Sequence, residues 1–203
     1  MNRTRLHFFG RKEPLSLEGA LAGSLAAADL QSTACQKSDP AIADLQSTPL
    51  QTGKQKIKCR VTYSETIESI EFESYIPRII RSLELVFDDS IDYGFKYRDR
   101  SALKALLDRR GDADEVLIVK NGLVTDTSYS NIVFLRDGKW FTPLVPLLPG
   151  TRRADYLQKK LIFPLNITPR EIVQFEEARL INAMQSIGDA GRIGMEQIPV
   201  NLC

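Results

Sequence analysis

Three short segments of this chain carry residues whose types and spacing could do chemistry together. Asp126-Thr-Ser128-Tyr-Ser-Asn131 sets a carboxylate, a hydroxyl and a carboxamide close together, just ahead of the apolar run Ile132–Phe134. Leu148-Pro149-Gly150-Thr151-Arg152-Arg153 reads as a helix start led by glycine. The first amides of a helix have no partner inside it and carry partial positive charge, so they take an anion such as phosphate readily. Gly150 lets the backbone come close to such a group. Upstream, Lys96 stands between two aromatics in Gly94-Phe-Lys96-Tyr-Arg-Asp99-Arg100. A carboxylate, a strand pinned by Asn and a helix start are the parts that can grip a phosphorylated aromatic ring. Ser128 and Asn131 are short polar residues of the kind that tie down local backbone, so they are expected to orient the hairpin rather than touch substrate. Each residue also has a plain reading when taken singly. Lys96 could be a solvated strand residue, Asp126 a solvent-facing acid, Gly150 an ordinary helix start and His7 a surface histidine.

The elements that must position these residues emerge from hydrophobic period and turn chemistry. Lys56–Tyr63, Glu68–Tyr75 and Ser82–Phe87 alternate polar and apolar residues, as half-buried strands do. Asp88–Tyr93 is an acidic connection leading to Lys96. A helix is expected from Asp99 or Ser101 to Leu107, with Leu103, Leu106 and Leu107 as its buried stripe and Gly111 beyond its end. Val116–Val119 is a buried strand, followed by Asn121-Gly122, a pair suited to a tight hairpin because both residues tolerate positive φ. Asn131–Arg136 and Lys139–Thr142 form a second hairpin around Asp137-Gly138. Gly150–Lys160 reads as a helix, and Thr168-Pro-Arg-Glu171 as a capping box opening a helix towards Glu177. Leu180–Met184 fits either a last strand or a short helix.

Before residue 53 the pattern is poorer. Met1–Phe9 reads as the tail of a helix and Leu15–Leu30 as a second, weakened by Gly19 and Gly23. Ala28-Asp-Leu-Gln-Ser-Thr33 recurs as Ala43-Asp-Leu-Gln-Ser-Thr48. Two copies do not make a repeat architecture, and a duplication within a loop over residues 28–53 accounts for them. The mixture of sheet and helix predicts the α+β class, with a small first domain over residues 1–93 and a second over 94–203.

Composition bounds the remainder. The 203 residues are 43% hydrophobic and 26% charged, as in ordinary globular proteins, with a formal net charge of +1. That balance gives no electrostatic argument for a nucleic-acid or anionic-membrane partner. The longest apolar runs, Val116–Val119 and Phe141–Leu148, fall well short of a bilayer span. Nothing at the start resembles a signal peptide. Cys35, Cys59 and Cys203 have neither metal-ligand nor disulfide-framework spacing, so no metal is expected and a cytoplasmic setting is the default.

In order and spacing, Asp126, Ser128, Asn131-Ile-Val-Phe134, Thr142-Pro143 and Gly150-Thr-Arg-Arg153 resemble the signature of the class IV pyridoxal-phosphate (PLP) aminotransferase family. That family includes branched-chain and D-amino acid aminotransferases and aminodeoxychorismate lyases. This chain departs from the pattern at three places. Asp126 stands where the family usually has Glu, Val133 where it has an aromatic, and Thr151 where it has an aliphatic residue. The resemblance runs from about Lys56 to Leu180–Met184. It implies fold type IV of the PLP enzymes, with an incomplete small N-terminal α/β domain and a larger C-terminal domain of sheet and helices. It implies a homodimer acting on a small amino-acid-like molecule at its α-carbon. Lys96 would then be the lysine that condenses with the cofactor aldehyde and moves protons. Asp126 would partner the ring nitrogen, the amides of Thr151 and Arg152 would hold the phosphate with Gly150, and Arg153 matches the arginine that closes the motif.

Asp99-Arg100 after Lys96 leans towards aminodeoxychorismate lyase-like chemistry, which yields 4-aminobenzoate and pyruvate; amino-acid transamination is the other enzymatic reading. Family members also carry His-x-x-Arg on an early helix, and Met1-Asn-Arg-Thr4 matches the residues immediately after that arginine. The expectation is therefore a truncated start, from a misassigned initiation codon or a degenerate gene. A non-catalytic remnant of the family is the alternative function.

Overall fold

The computed structural model describes residues 7–10, 12, 17, 20–21 and 56–200. Residues 7–9 are helical. Most of the expected helix over Leu15–Leu30 and the whole of the repeat over 28–53 lie outside the described residues. Contacts divide the chain into two units, Met1–Ile76 and Pro77–Cys203.

From residue 56 onward the first unit is an antiparallel hairpin of β1 (Ile57–Tyr63) and β2 (Ile67–Ser74), in register from Ile57↔Ser74 to Tyr63↔Ile67 with an irregularity at Thr62/Tyr63. Exposed pairs cross it, Lys58 with Glu73 and Arg60 with Glu71 and Glu73. Pairs so open to water hold a register but add little stability.

The second unit contains an eight-stranded mixed sheet. β3 (Leu83–Phe87) runs parallel to β4 (Glu115–Lys120), with Leu83 opposite Glu115. This pairing draws Leu83–Phe87 into the sheet of the second unit, whose first residue is Pro77 where the sequence reading begins its second domain at residue 94. The intervening helix, α1 (Ser101–Leu107), buries Leu103 and Leu106 against Val86, Val116 and Ile118. Leu117 and Val119 face the other way, into a cluster with Ile80, Leu83, Leu85, Ile132 and Phe134. β4 is thus apolar on both faces, as a strand covered on both sides must be.

β4 turns into β5 (Leu123–Thr127) through Asn121 and Gly122, both at positive φ (51° and 73°). β6 (Asn131–Arg136) turns into β7 (Lys139–Pro143) through Asp137 and Gly138 in the same way (51° and 68°). These are the tight turns that the Asn-Gly and Asp-Gly pairs predict. β6 pairs with β5 where Asp126 meets Asn131, with β7 further along, and with β9 (Glu177–Ile181) over Asn131–Leu135. α2 (Thr151–Gln158) comes next and ends near Lys160, itself at φ 55°. β8 (Ile162–Leu165), parallel to β7, was not foreseen from the sequence. β10 is the short pair Ile193–Gly194 against β9.

The capping box forms as expected, with both Thr168 N and Oγ1 donating to Glu171 Oε2 at 2.8 Å. Yet Pro169–Gln174 is a 3-10 helix and stops short of Glu177. Phe175 leaves helical geometry because its ring is buried beside Phe134 and Phe141, at centroid distances of 5.1 and 6.2 Å. The segment expected as Leu180–Met184 is the end of β9 followed by a turn, with Asn182 bridged to Gln185. Among the described residues no helix is long and apolar enough to cross a membrane.

Leu117 is fully buried at the centre of the sheet. Leu117→Ala should lower the free energy of unfolding by about 2–5 kcal/mol, read as a fall in the urea midpoint at constant slope.

Candidate functional site

The β5–β6 turn is short and locally closed. Thr127 N donates to Ser130 O at 3.0 Å, and Ser130 N returns a bond to Thr127 Oγ1 at 3.1 Å. Because Asp126 and Asn131 are directly opposed across it, their side chains share a face. Asn131 Nδ2 donates to Asp126 Oδ1 at 2.8 Å and, with its other hydrogen, to Leu148 O at 2.8 Å. Leu148 N in turn donates to Asp126 Oδ2 at 2.9 Å. The three groups form a closed knot that joins the hairpin to the segment leading into α2.

Gly150 completes this knot sterically. A Cβ placed there would lie 2.2 Å from Asn131 Oδ1 and 3.3 Å from its carboxamide carbon. Gly150 has φ −67°, so its role is to leave room for the carboxamide and not to permit an unusual backbone. No side chain caps α2, whose first residues are Thr151 and Arg152. The structure therefore brings Asp126, Asn131 and Gly150 together and sets Thr151 and Arg152 directly beyond them.

The site is electrically unusual beneath its surface. Burial pushes the Asp126 carboxyl up from its ordinary value to about 6, against the opposing pull of Leu148 N–H, Asn131 and the charge of Arg153. Arg153 is 7% exposed and donates to Thr142 Oγ1 (3.3 Å), Pro143 O (2.7 Å) and Leu144 O (3.4 Å). Burial draws its own pKa down, while Asp126 works the other way. Arg153 is thus a buried cation behind the carboxylate that also fixes the end of β7. At neutral pH, Asp126 remains chiefly ionised.

Two further segments converge here. Arg152 Nη2 donates to Ala183 O at 3.0 Å and its Nε to Asn182 O at 3.4 Å, tying α2 to the turn after β9. Asn182 Nδ2 donates to Ser130 Oγ at 2.9 Å. The Asn182–Gln185 turn was missed in the sequence, where the polar Asn182 interrupting an apolar stretch was its only signal. Ser128 is buried; its N–H faces Glu115 Oε1 at 3.4 Å and its carbonyl accepts from Arg100 Nη2 at 2.5 Å. Lys96 is exposed on the irregular segment that ends at Arg100. It takes no part in the Asp126 knot; of its segment it is Arg100, four residues on, that reaches the β5–β6 turn. Among the described residues no cluster of three or more His, Cys, Asp or Glu is placed to hold a metal ion.

Gly150→Ala must displace Asn131, whose carboxamide is held at both hydrogens, and should destabilise the protein by about 1–3 kcal/mol in thermal or urea unfolding. Asp126 supplies a pH test. Its folded-state pKa is raised, so its favourable contribution is full below about pH 4 and is lost as pH climbs through about 6. Wild-type stability should therefore carry a declining component, of the order of 3 kcal/mol, across that window. Asp126→Asn should flatten it, as measured by urea unfolding at stepped pH.

Comparison with known proteins places this geometry in a family. Residues 95–193 match amino-transferase class IV. A protein of uncharacterised function from Haemophilus influenzae is 42% identical over 140 residues, spanning 69% of this chain and 73% of that one. A crystal structure from Haemophilus somnus, described as that of a candidate 4-amino-4-deoxychorismate lyase, is 33% identical. It superposes with a TM-score of 0.69 over 91% of this chain and 85% of its own. A structure from Mesorhizobium loti, described as a candidate amino-acid aminotransferase, shares the fold at 19% identity and TM-score 0.58, covering 68% and 71% of the two chains. With relatives so alike along most of their length, and residues 95–193 matching the family itself, the chain belongs to the class IV aminotransferase family.

Proposed function

We propose that this protein binds PLP, as its family does, and uses it to transform an amino-acid-like substrate at the α-carbon, in the manner of an aminodeoxychorismate lyase. The observation that carries the reading is the Asp126 knot. It presents a buried carboxylate, ionised at neutral pH, beside an uncapped helix start.

The donor set suits the cofactor's chemistry. Each Asp126 oxygen accepts one hydrogen bond from Asn131 or Leu148, which leaves acceptor capacity on both. A pyridine nitrogen beside such an anion holds a proton more firmly. The Thr151 and Arg152 amides, at a helix start with no side-chain cap, are suited to a phosphate. When bound, PLP supplies an electron-withdrawing ring that spreads negative charge from the substrate's α-carbon. Lys96 carries the amine that takes up and returns a proton at that carbon. Ser128 and Asn131 orient the hairpin, and Arg153 balances Asp126 from behind. Asp126 is one methylene shorter than Glu, so contact with the ring nitrogen requires a deeper ring or an intervening water.

The lyase reading draws on Asp99-Arg100 after Lys96 and on the likeness to the Haemophilus somnus protein. Its substrate would be 4-amino-4-deoxychorismate and its products 4-aminobenzoate and pyruvate. Assembly as a homodimer and a cytoplasmic setting belong to the same proposal.

Purified protein mixed with PLP should gain an absorption band to the red of the protein's own aromatic bands. Borohydride should remove that band and leave a phosphopyridoxyl group on the peptide containing Lys96. Lys96→Ala should abolish both signals while the far-ultraviolet dichroism stays unchanged. Pyruvate release from aminodeoxychorismate would support the lyase. Transfer of an amino group from branched-chain amino acids to 2-oxoglutarate would instead indicate a transaminase. A folded protein that takes up no PLP would be a non-catalytic member of the family.

A further inference from the structure

The backbone of Ser128 is held by charged side chains from two different segments. Arg100, which ends the irregular stretch containing Lys96, donates Nη2 to Ser128 O at 2.5 Å. Glu115, at the start of β4, accepts from Ser128 N at 3.4 Å through Oε1, which also accepts from Val116 N at 3.0 Å. Glu115 is fully buried, and the charge it takes inside is met by Arg78, whose Nη1 lies 3.1 Å from Oε2. The Arg78 guanidinium also lies over the Tyr129 ring, 4.7 Å from its centroid. A buried carboxylate is tolerated only with such a partner, so Glu115 and Arg78 act as one unit.

The Lys96 side of this contact is ordered in its own right. Tyr93 Oη donates to Tyr97 O at 3.3 Å, and the two rings meet edge to face at 5.7 Å. Tyr93 is 7% exposed and packs with Val86, Leu103 and Leu106. Residues 93–97 therefore form an arc closed at its ends, with Lys96 inside it. Burial pushes the Tyr93 hydroxyl up, and the Arg100 guanidinium beside it works against that rise. Arg100 thus meets both the arc and the turn that begins one residue after Asp126.

We propose that Arg100 is a positioning residue: it docks the arc carrying Lys96 on the Ser128 turn, while Glu115 and Arg78 hold the other side of that turn. The inference rests on the function proposed above, in which Lys96 and Asp126 must act on one bound group. Hydrogen bonds with one charged partner are about twice as strong as neutral ones, and reacting groups displaced by about 1 Å lose rate on the order of 100-fold. Lysine at position 100 could still donate one bond to Ser128 O, whereas methionine could donate none.

The test uses the full chain as wild type, Arg100→Met, Arg100→Lys and Tyr93→Phe, with folding checked by circular dichroism. In the absence of cofactor, amide hydrogen exchange should rise in Arg100→Met both at residues 94–99 and at 128–130, and return towards wild type in Arg100→Lys. With PLP present, the rate of borohydride-trapped modification at Lys96 should fall roughly 10- to 100-fold in Arg100→Met. Arg100→Lys should recover most of it, and Tyr93→Phe should show a smaller loss. A folded Arg100→Met protein with unchanged exchange in both segments overturns the proposal, as does unchanged trapping at Lys96. Should Arg100→Met fail to fold, Tyr93→Phe decides: slower trapping at Lys96 with faster exchange at 94–99 and 128–130 upholds the dock, and wild-type behaviour in both measurements overturns it. If even wild type is never modified at Lys96, the PLP reading fails, and paired exchange at 94–99 and 128–130 still decides the role of Arg100.

Discussion

One carboxamide holds the site together. Asn131 spends both of its N–H bonds, one on the Asp126 carboxylate and one on the Leu148 carbonyl. Its oxygen fills the space left by the missing side chain of Gly150. The group cannot be turned over, because that would set its oxygen against a carboxylate and a carbonyl and its nitrogen against the glycine. A single planar group therefore fixes the strand bearing the acid, the loop entering α2 and the spacing between them. The orientation of Asp126 and the position of the helix start are two results of the same constraint.

The surrounding contacts extend that constraint outward. Arg152 and Asn182 fasten the turn after β9, one to α2 and the other to Ser130. Arg153 lies behind the acid and takes three oxygens around the end of β7. Most of these bonds join a side chain to backbone rather than to another side chain. They locate loops that carry little apolar surface, which packing alone would leave loosely placed.

Much of this was legible in the sequence for definite reasons. Asn121-Gly122 and Asp137-Gly138 announce their turns because few other residues accept positive φ at both positions. The opposition of Asp126 and Asn131 and the use of Gly150 to admit the Asn131 carboxamide are not legible, since the sequence reading gives Gly150 to a phosphate. β8 escaped notice because Ile162–Leu165 is short, contains Pro164 and comes almost directly after α2. The capping box at Thr168 is genuine and by itself promises a longer helix, while the burial of Phe175 that ends the 3-10 helix depends on strands far away in sequence. The bond from Leu148 N to Asp126 had no signal at all, since a backbone amide is the same at every residue. The motif around Arg152 points to its amide alone, whereas its side chain reaches a turn some thirty residues on.

Asp126 has one more consequence. Its buried anion is poorly solvated, so a cation brought against it would offset that desolvation cost by its attraction. Binding of a cation there would then stabilise the whole domain as well as the site, at pH values where the acid is ionised and the cation keeps its charge. Loading and folding would in effect share one proton equilibrium.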